Sequence, residues 1–204
     1  MRNDYLAKRA FDLVFASLGL VALSPMLFVI AAAVKLSDGG PVLFKQERVG
    51  LHGKTFRILK FRTMFVGAER TGRQITAAGD QRITRIGRFL RKAKFDELPQ
   101  LWNVLRGQMS FVGPRPEVPR YVQMYSPEQR AILELLPGIT DLASITFYRE
   151  EEILAKSANP EQTYVHEVMP EKIRLNLEYA STGNLKSDFQ LIVMTITRIT
   201  RSRK

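Results

Sequence analysis

Residues 13–34 read LVFASLGLVALSPMLFVIAAAV, and the fate of this run decides the fold. No charge interrupts it between Asp12 and Lys35, and most of it is Leu, Val, Ala, Phe or Ile. At about 1.5 Å rise per residue it is long enough to cross a hydrocarbon layer of roughly 30 Å. A membrane helix is the first expectation. A cleaved signal peptide competes with it, with Arg2, Lys8 and Arg9 in front and Ala31-Ala32-Ala33 near a cleavage point. The apolar stretch is long, however, for a signal core of about 7–15 residues.

Ser24-Pro25 lies at the middle of the run. Proline removes a backbone donor and crowds the carbonyl four residues back, so it kinks or breaks a helix, and Ser24 can bond a carbonyl so freed. Arg2, Lys8 and Arg9 precede the run, and the other Lys and Arg follow it, so the positive-inside preference asks for both ends on one side. A re-entrant hairpin broken at Ser24-Pro25 satisfies that preference. An ordinary proline-kinked span is the alternative.

Beyond the run, Asp38-Gly39-Gly40-Pro41 marks a turn, and two β-prone segments, Val42–Val49 and Thr55–Phe61, flank Gly50-Leu51-His52-Gly53. This pattern predicts a β-hairpin. From Arg82 to Phe95, Ile83, Ile86 and Leu90 recur at helical spacing among Arg85, Arg88 and Lys92. Such a basic amphipathic helix suits a membrane interface or, equally, a solvated face over a core stripe. Ser126-Pro127-Glu128-Gln129 and Asn159-Pro160-Glu161-Gln162 read as helix starts, the first helix stopping at Pro137-Gly138. Pro170 to about Ala180 predicts another helix ended by Gly183. Leu185, Phe189, Ile192, Ile196 and Ile199 form a stripe, read as packing, on a last one. The fold class is therefore α+β and mainly helical, with residues 1–36 in the membrane and 37–204 forming one domain.

Composition narrows the partners. The 204 residues carry 31 Lys and Arg against 20 Asp and Glu, a net charge of +11, which calls for an anionic partner. Cysteine is absent and only His52 and His166 occur, which excludes disulfides and thiolate sites and argues against a histidine zinc site. No helix-turn-helix or RNA-recognition pattern accompanies the charge, so nucleic acid is not the expected partner.

The chemistry points to Lys94-Phe95-Asp96-Glu97-Leu98-Pro99-Gln100. Alone, Asp96 reads as the N-cap of a helix starting at Glu97. Its surroundings suggest more: Arg85, Arg88, Arg91, Lys92 and Lys94 come before it, and Gly113-Pro114-Arg115-Pro116-Glu117 presents Arg115 on a proline-stiffened loop. Carboxylates recruit Mg²⁺ together with substrate phosphates, and guanidinium groups bind phosphate oxygens in pairs. These are parts of a phosphoryl-transfer site in which a carboxylate can serve as nucleophile.

An ordered set of motifs runs from near the N-terminus to residue 140: Lys8-Arg9-Ala10-Phe11-Asp12, the run with Ser24-Pro25, Lys60-Phe61-Arg62-Thr63-Met64, Gly87-Arg88-Phe89-Leu90-Arg91, Asp96-Glu97-Leu98-Pro99-Gln100, Asn103-Val104-Leu105, Met109–Pro116 and Pro137-Gly138-Ile139-Thr140. In this the chain resembles the monotopic phosphoglycosyl transferases of bacteria, the bacterial sugar transferase family, in its minimal form. The resemblance implies a bacterial inner-membrane enzyme on the cytoplasmic face, moving a sugar 1-phosphate from a UDP-sugar to a polyprenyl (undecaprenyl) phosphate in the first membrane step of glycoconjugate assembly. It implies Asp96 as nucleophile and Mg²⁺ ligand, with UMP released, and Glu97 as its partner in metal or proton handling. Arg91 and Arg115 would hold phosphates, with Lys60, Arg62 and Glu117 as further substrate-side candidates. Anionic lipid is an expected partner, and a homodimer is compatible with the pattern. After Thr140 the sequence departs from many relatives, with Asp141-Leu142-Ala143-Ser144 in place of a Gly and an Ala-Gln-Val-Asn-like stretch, which leaves the sugar open. The competing functions are a membrane-tethered basic binding protein and a glycosyltransferase that releases UDP.

Overall fold

The computed structural model describes residues 4–68 and 80–201; Arg2, part of the predicted basic flank, lies outside them. The helices are α1 (Tyr5–Asp38), α2 (Arg85–Ala93), α3 (Gln100–Leu105), α4 (Pro119–Val122), α5 (Leu142–Thr146), α6 (Glu150–Ala155), α7 (Pro160–Thr163), α8 (Met169–Thr182) and α9 (Leu185–Arg201). The strands are β1 (Leu43–Val49), β2 (Thr55–Phe61), β3 (Ser110–Val112) and β4 (Gly138–Thr140). The chain is α+β and mainly helical, as expected.

The apolar run becomes α1, which is long and apolar enough to cross a membrane. It continues through Pro25 without interruption, where the sequence suggested a break. Ser24 Oγ donates to Val21 O at 2.8 Å, the carbonyl four residues before Pro25 that the proline leaves without its helical donor. One side of α1 packs inward along its length. Ala16, Leu20 and Leu23 join Ile58, Leu101, Val104 and Met109, and farther on Met26, Leu27, Ile30 and Val34 meet Phe61 and Leu90. On its outer side Leu6, Val21, Phe28 and Leu36 are at least 75% exposed.

Both ends of α1 are fastened to the rest of the chain. Lys8 Nζ donates to Val112 O at 2.8 Å and pairs with Asp188 at 2.6 Å. Arg9 donates to Val104 O and Leu105 O at 2.8 and 3.0 Å, at the carbonyl end of α3. Asp12 Oδ1 accepts from Ser110 Oγ and Phe111 N, each at 3.1 Å. The Lys8–Asp12 motif thus clamps the start of α1 onto α3, β3 and α9. At the far end Arg62 grips Asp38 with both Nη atoms and Pro41 O with Nε.

The predicted hairpin is present: β1 pairs antiparallel with β2 from Leu43–Phe61 to Val49–Thr55, around a tight turn at Leu51–Gly53. A second pair was not foreseen, the parallel β3 and β4, three residues each. α2 starts at Thr84, whose Oγ1 accepts from Gly87 N at 2.9 Å. Gly87 is needed there because a Cβ would lie 2.0 Å from Thr63 O. This close approach seats α2 beside β2.

Farther on, Ser126 and Gln129 cap each other, but the turn they start is a six-residue 3₁₀ segment, Gln129–Glu134, rather than the helix expected to reach Pro137. Leu135 is already extended, which the approach to β4 at Gly138 requires. The Asn159 start is as predicted, with Asn159 Oδ1 accepting from Gln162 N at 3.2 Å; α7 then runs through a π-helical turn, Tyr164–Val168, into α8. On α9 the predicted stripe is only partly inward. Asp188 and Leu191 are buried, while Phe189 and Ile196 are more than half exposed. The Lys8–Asp188 pair and Tyr179 Oη, 2.8 Å from Asp188 Oδ1, fix that rotation of α9.

Candidate active site

The carboxylate pair sits where α2 ends. Lys94 takes a left-handed backbone, φ 56°, and its N–H closes on Arg91 O and Leu90 O. A non-glycine residue adopts this conformation uncommonly, and here it turns the chain into a 3₁₀ segment, Phe95–Glu97, that holds both acids. Asp96 therefore lies inside a turn and does not cap a helix; α3 begins only at Gln100, after Pro99. Asp96 and Glu97 are both buried, at 7% and 8% exposure.

The two acids have opposite surroundings. Glu97 Oε1 accepts from Arg115 Nη2 at 2.5 Å and Lys60 Nζ at 3.0 Å, and Oε2 lies 3.4 Å from Arg115 Nη1. Asp96 Oδ1 is buried with no hydrogen-bond partner. Burial alone would raise both acids. For Glu97 the charges of Arg115 and then Lys60 outweigh burial and hold it well below the usual carboxylate range. For Asp96 burial and then the Glu97 charge push the pKa up, and Lys60, Lys94 and Arg91 offset only part of that. Burial also brings the Lys60 ammonium down to about 8, against the pull of Glu97.

Behind this group stands a second layer. Arg48 donates from Nη1 to Pro116 O at 3.1 Å and to Glu117 Oε1 at 3.2 Å. Glu117 also accepts from Val118 N at 2.8 Å and from Tyr164 Oη. These bonds hold the backbone that directly follows Arg115. β2, which carries Lys60, is held by Asn103: its Oδ1 accepts from Leu59 N at 3.0 Å and its Nδ2 donates to Arg57 O at 2.9 Å.

Of the predicted site residues, the structure brings Asp96, Glu97, Lys60 and Arg115 together. Arg91 is near enough to influence Asp96, while its Nη2 is paired with Glu151 at 2.6 Å on the surface. Glu117 stands behind Arg115, bound to Arg48 and Tyr164. Arg62 is bound to Asp38 and Pro41, at the end of α1. Sequence reasoning missed Arg48 and Tyr164, which carried no motif signal. Gln100 and Asn103 were visible only as members of motifs. A cleft of about 530 Å³ between Arg120, Met124, Glu161 and His166 holds none of the predicted site residues.

Among the described residues no three His, Cys, Asp or Glu side chains cluster as a ready cation cage. A carboxylate with an unpartnered oxygen fits the other mode of Mg²⁺ binding, in which one or two carboxylates share the ion with substrate phosphates.

A buried carboxylate with an unpartnered oxygen thus sits among cations on a body flanked by an apolar helix. The chain belongs to the bacterial sugar transferase family, whose sequence pattern matches residues 3–202, and it is a transferase. It is 40% identical over 194 residues to the UDP-glucose:undecaprenyl-phosphate glucose-1-phosphate transferase of Caulobacter vibrioides, covering 94% of this chain and 68% of that protein. To the undecaprenyl-phosphate glucose phosphotransferase of Komagataeibacter xylinus it is 39% identical, over 98% of this chain and 37% of the relative. To the UDP-N-acetylgalactosamine-undecaprenyl-phosphate N-acetylgalactosaminephosphotransferase of Aeromonas hydrophila it is 35% identical, over 94% and 43%. The chain thus spans less than half the length of two of these three relatives.

Proposed function

We propose that this chain transfers a sugar 1-phosphate from a UDP-sugar to undecaprenyl phosphate, releasing UMP, through a covalent intermediate on Asp96. The observation that carries this reading is the unpartnered, buried Asp96 Oδ1 beside a Glu97 already engaged by Lys60 and Arg115. Of the two acids, Asp96 has the oxygen free to attack.

In the first step Asp96 Oδ1 forms a bond to the β-phosphorus, and the bond from that phosphorus to the bridging oxygen breaks. UMP departs with the oxygen and its electron pair. In the second step a phosphate oxygen of the lipid attacks the same phosphorus, and Asp96 leaves as a carboxylate. Lys60, Arg115 and Arg91 offset phosphate charge, while Arg48 and Glu117 hold the Arg115 loop and Arg62 holds the end of α1. Mg²⁺, bound by Asp96 with the diphosphate, would neutralise charge on the donor. Glu97 orients Lys60 and Arg115.

The reading extends to the membrane, with residues 1–36 embedded and residues 37–204 forming the catalytic domain on the cytoplasmic face of the bacterial inner membrane. A straight 34-residue helix is about 51 Å long. Crossing the bilayer would carry its two ends to opposite faces, yet Lys8 and Arg9 at one end and Asp38 at the other bind one body. A bend at Pro25 within the continuous helix, letting α1 enter and leave by the same face, removes that conflict. Phe89 on α2 is 63% exposed among exposed Arg85, Arg88 and Lys92, and Trp102 on α3 is 45% exposed under the Arg106 guanidinium. Aromatic and basic side chains mixed in this way suit an interface with anionic lipid. On this reading Asp96 stands where a soluble nucleotide sugar and a lipid phosphate meet.

The product nucleotide tests the reaction. Enzyme in lipid nanodiscs, given UDP-glucose or UDP-N-acetylgalactosamine with undecaprenyl phosphate and Mg²⁺, is expected to release UMP. Release of UDP would assign a glycosyltransferase, and release of neither from a panel of UDP-sugars would leave the basic binding protein.

A further inference from the structure

Two buried polar atoms without a hydrogen-bond partner lie one turn apart: Asp96 Oδ1 and Gln100 Nε2. Gln100 is 1% exposed. From Phe95 to Leu105 the backbone stays right-handed helical, through Leu98 at φ −55°, ψ −35° and Pro99 at φ −60°, ψ −16°. The N–H groups of Glu97, Leu98, Leu101 and Trp102 each bond three residues back, so Gln100 stands about one tight turn beyond Asp96. An amide nitrogen so deeply buried carries its desolvation penalty with no hydrogen bond in return, and a group of this kind in a native site calls for an explanation.

The chemistry of the unmet atom narrows its partner. An amide nitrogen donates hydrogen bonds and cannot ligate a cation. Glu97, the neighbouring acceptor, has its oxygens engaged by Lys60 and Arg115. Asp96 Oδ1 is itself without a partner, so the two groups do not satisfy each other. An acceptor that arrives with the substrate, bonded to what Asp96 attacks, would complete both at once.

We infer that Gln100 is a further catalytic residue, whose Nε2 donates to a non-bridging oxygen of the phosphoryl group while Asp96 Oδ1 bonds to its phosphorus. The inference rests on the reading of Asp96 as nucleophile. Gln100 transfers no proton and stays an amide throughout. Its hydrogen bond strengthens as charge gathers on the equatorial oxygens, and it is already oriented by burial, so it favours the transition state over the bound donor. It is neutral, so it adds no cation to a site that already holds Lys60, Lys94 and Arg115.

Gln100→Leu removes the amide at similar volume, and Gln100→Glu keeps the shape but replaces the donor with an acceptor. Each is compared with wild type in nanodiscs for thermal midpoint, KM for the UDP-sugar donor that wild type turns over, and single-turnover rate of sugar-phosphate adduct formation by intact mass. The expected result for Gln100→Leu is a midpoint at or above wild type, KM within about twofold, and an adduct rate about 100-fold lower. Gln100→Glu is expected to be slower still, through repulsion of the phosphoryl oxygens. Wild-type adduct rates in Gln100→Leu would overturn the inference, and so would wild-type rates in Gln100→Glu should the leucine variant fail to fold. Asp96→Asn in the same assay separates the two claims. An adduct that survives it, or none in a wild type that releases UMP, removes the Asp96 reading; an adduct lost there but formed at full rate without Gln100 removes only the role of Gln100.

Discussion

Lys60 Nζ lies 3.0 Å from Glu97 Oε1, and burial acts on the two charges unequally: Glu97 stays firmly ionised while the Lys60 ammonium is brought down to about 8. The difference lies in their company. Glu97 feels three cations, Arg115, Lys60 and Lys94, whereas the pull of Glu97 and Asp96 on Lys60 is opposed by Arg115 and Arg48. The site therefore contains a cation that discharges just above neutral pH.

This sets the alkaline limb of activity. With Lys60 holding phosphate as an ammonium, kcat/KM is expected to fall as pH rises through about 8. Lys60→Arg, whose charge persists, should move the fall to higher pH, and a pH–rate profile in nanodiscs reads the shift.

On the acid side Asp96 is the group to watch. Its pKa is raised by burial and next by the Glu97 charge, so the nucleophile is protonated at pH values where an ordinary aspartate is already ionised, and activity is lost as pH falls through that raised value. Glu97→Gln removes the second cause and leaves the first, so the acid limb of adduct formation should shift to lower pH.

Arg91 is paired with Glu151, and both are partly exposed. If Arg91 holds donor phosphate, the pair opens on binding. Glu151→Gln should then lower KM for the UDP-sugar by up to about fivefold, the range of an exposed ion pair, with kcat unchanged. Steady-state kinetics with the donor varied checks this.

Two anchors should show in stability. Lys8→Met takes away the ammonium that bonds the buried Asp188 and Val112 O, a loss of about 3 kcal/mol in denaturant unfolding. Gly87→Ala places a Cβ 2.0 Å from Thr63 O, so α2 must shift from β2 at a cost of about 1–3 kcal/mol.

The parts of the fold legible in the sequence are those that local chemistry dictates. The β1–β2 hairpin follows from alternation around a Gly-bounded turn, and α7 and α8 follow from the Asn159 cap and Gly183. The carboxylate pair was visible because basic residues cluster around it in the chain itself. What was hidden depends on partners far apart in sequence. Tyr164 meets Glu117 across 47 positions and Lys8 meets Asp188 across 180, and neither carries a local signature. The inward face of α9 was misread for that reason, since a buried acid set its rotation rather than its apolar stripe. β3 and β4, three residues each and parallel, are too short to show a period. At Ser24-Pro25 the local rule gives a kink or a break, and α1 stays helical through it while packing inward on both sides of the proline.

The central claim is that Asp96 carries the sugar phosphate, and intact-protein mass spectrometry tests it most directly. The enzyme is incubated with Mg²⁺ and UDP-glucose or UDP-N-acetylgalactosamine, without lipid acceptor. The account predicts a mass gain of one sugar phosphate in wild type, discharged when undecaprenyl phosphate is added and absent in Asp96→Asn. A wild type that turns over donor and lipid to UMP while never gaining that mass would contradict it.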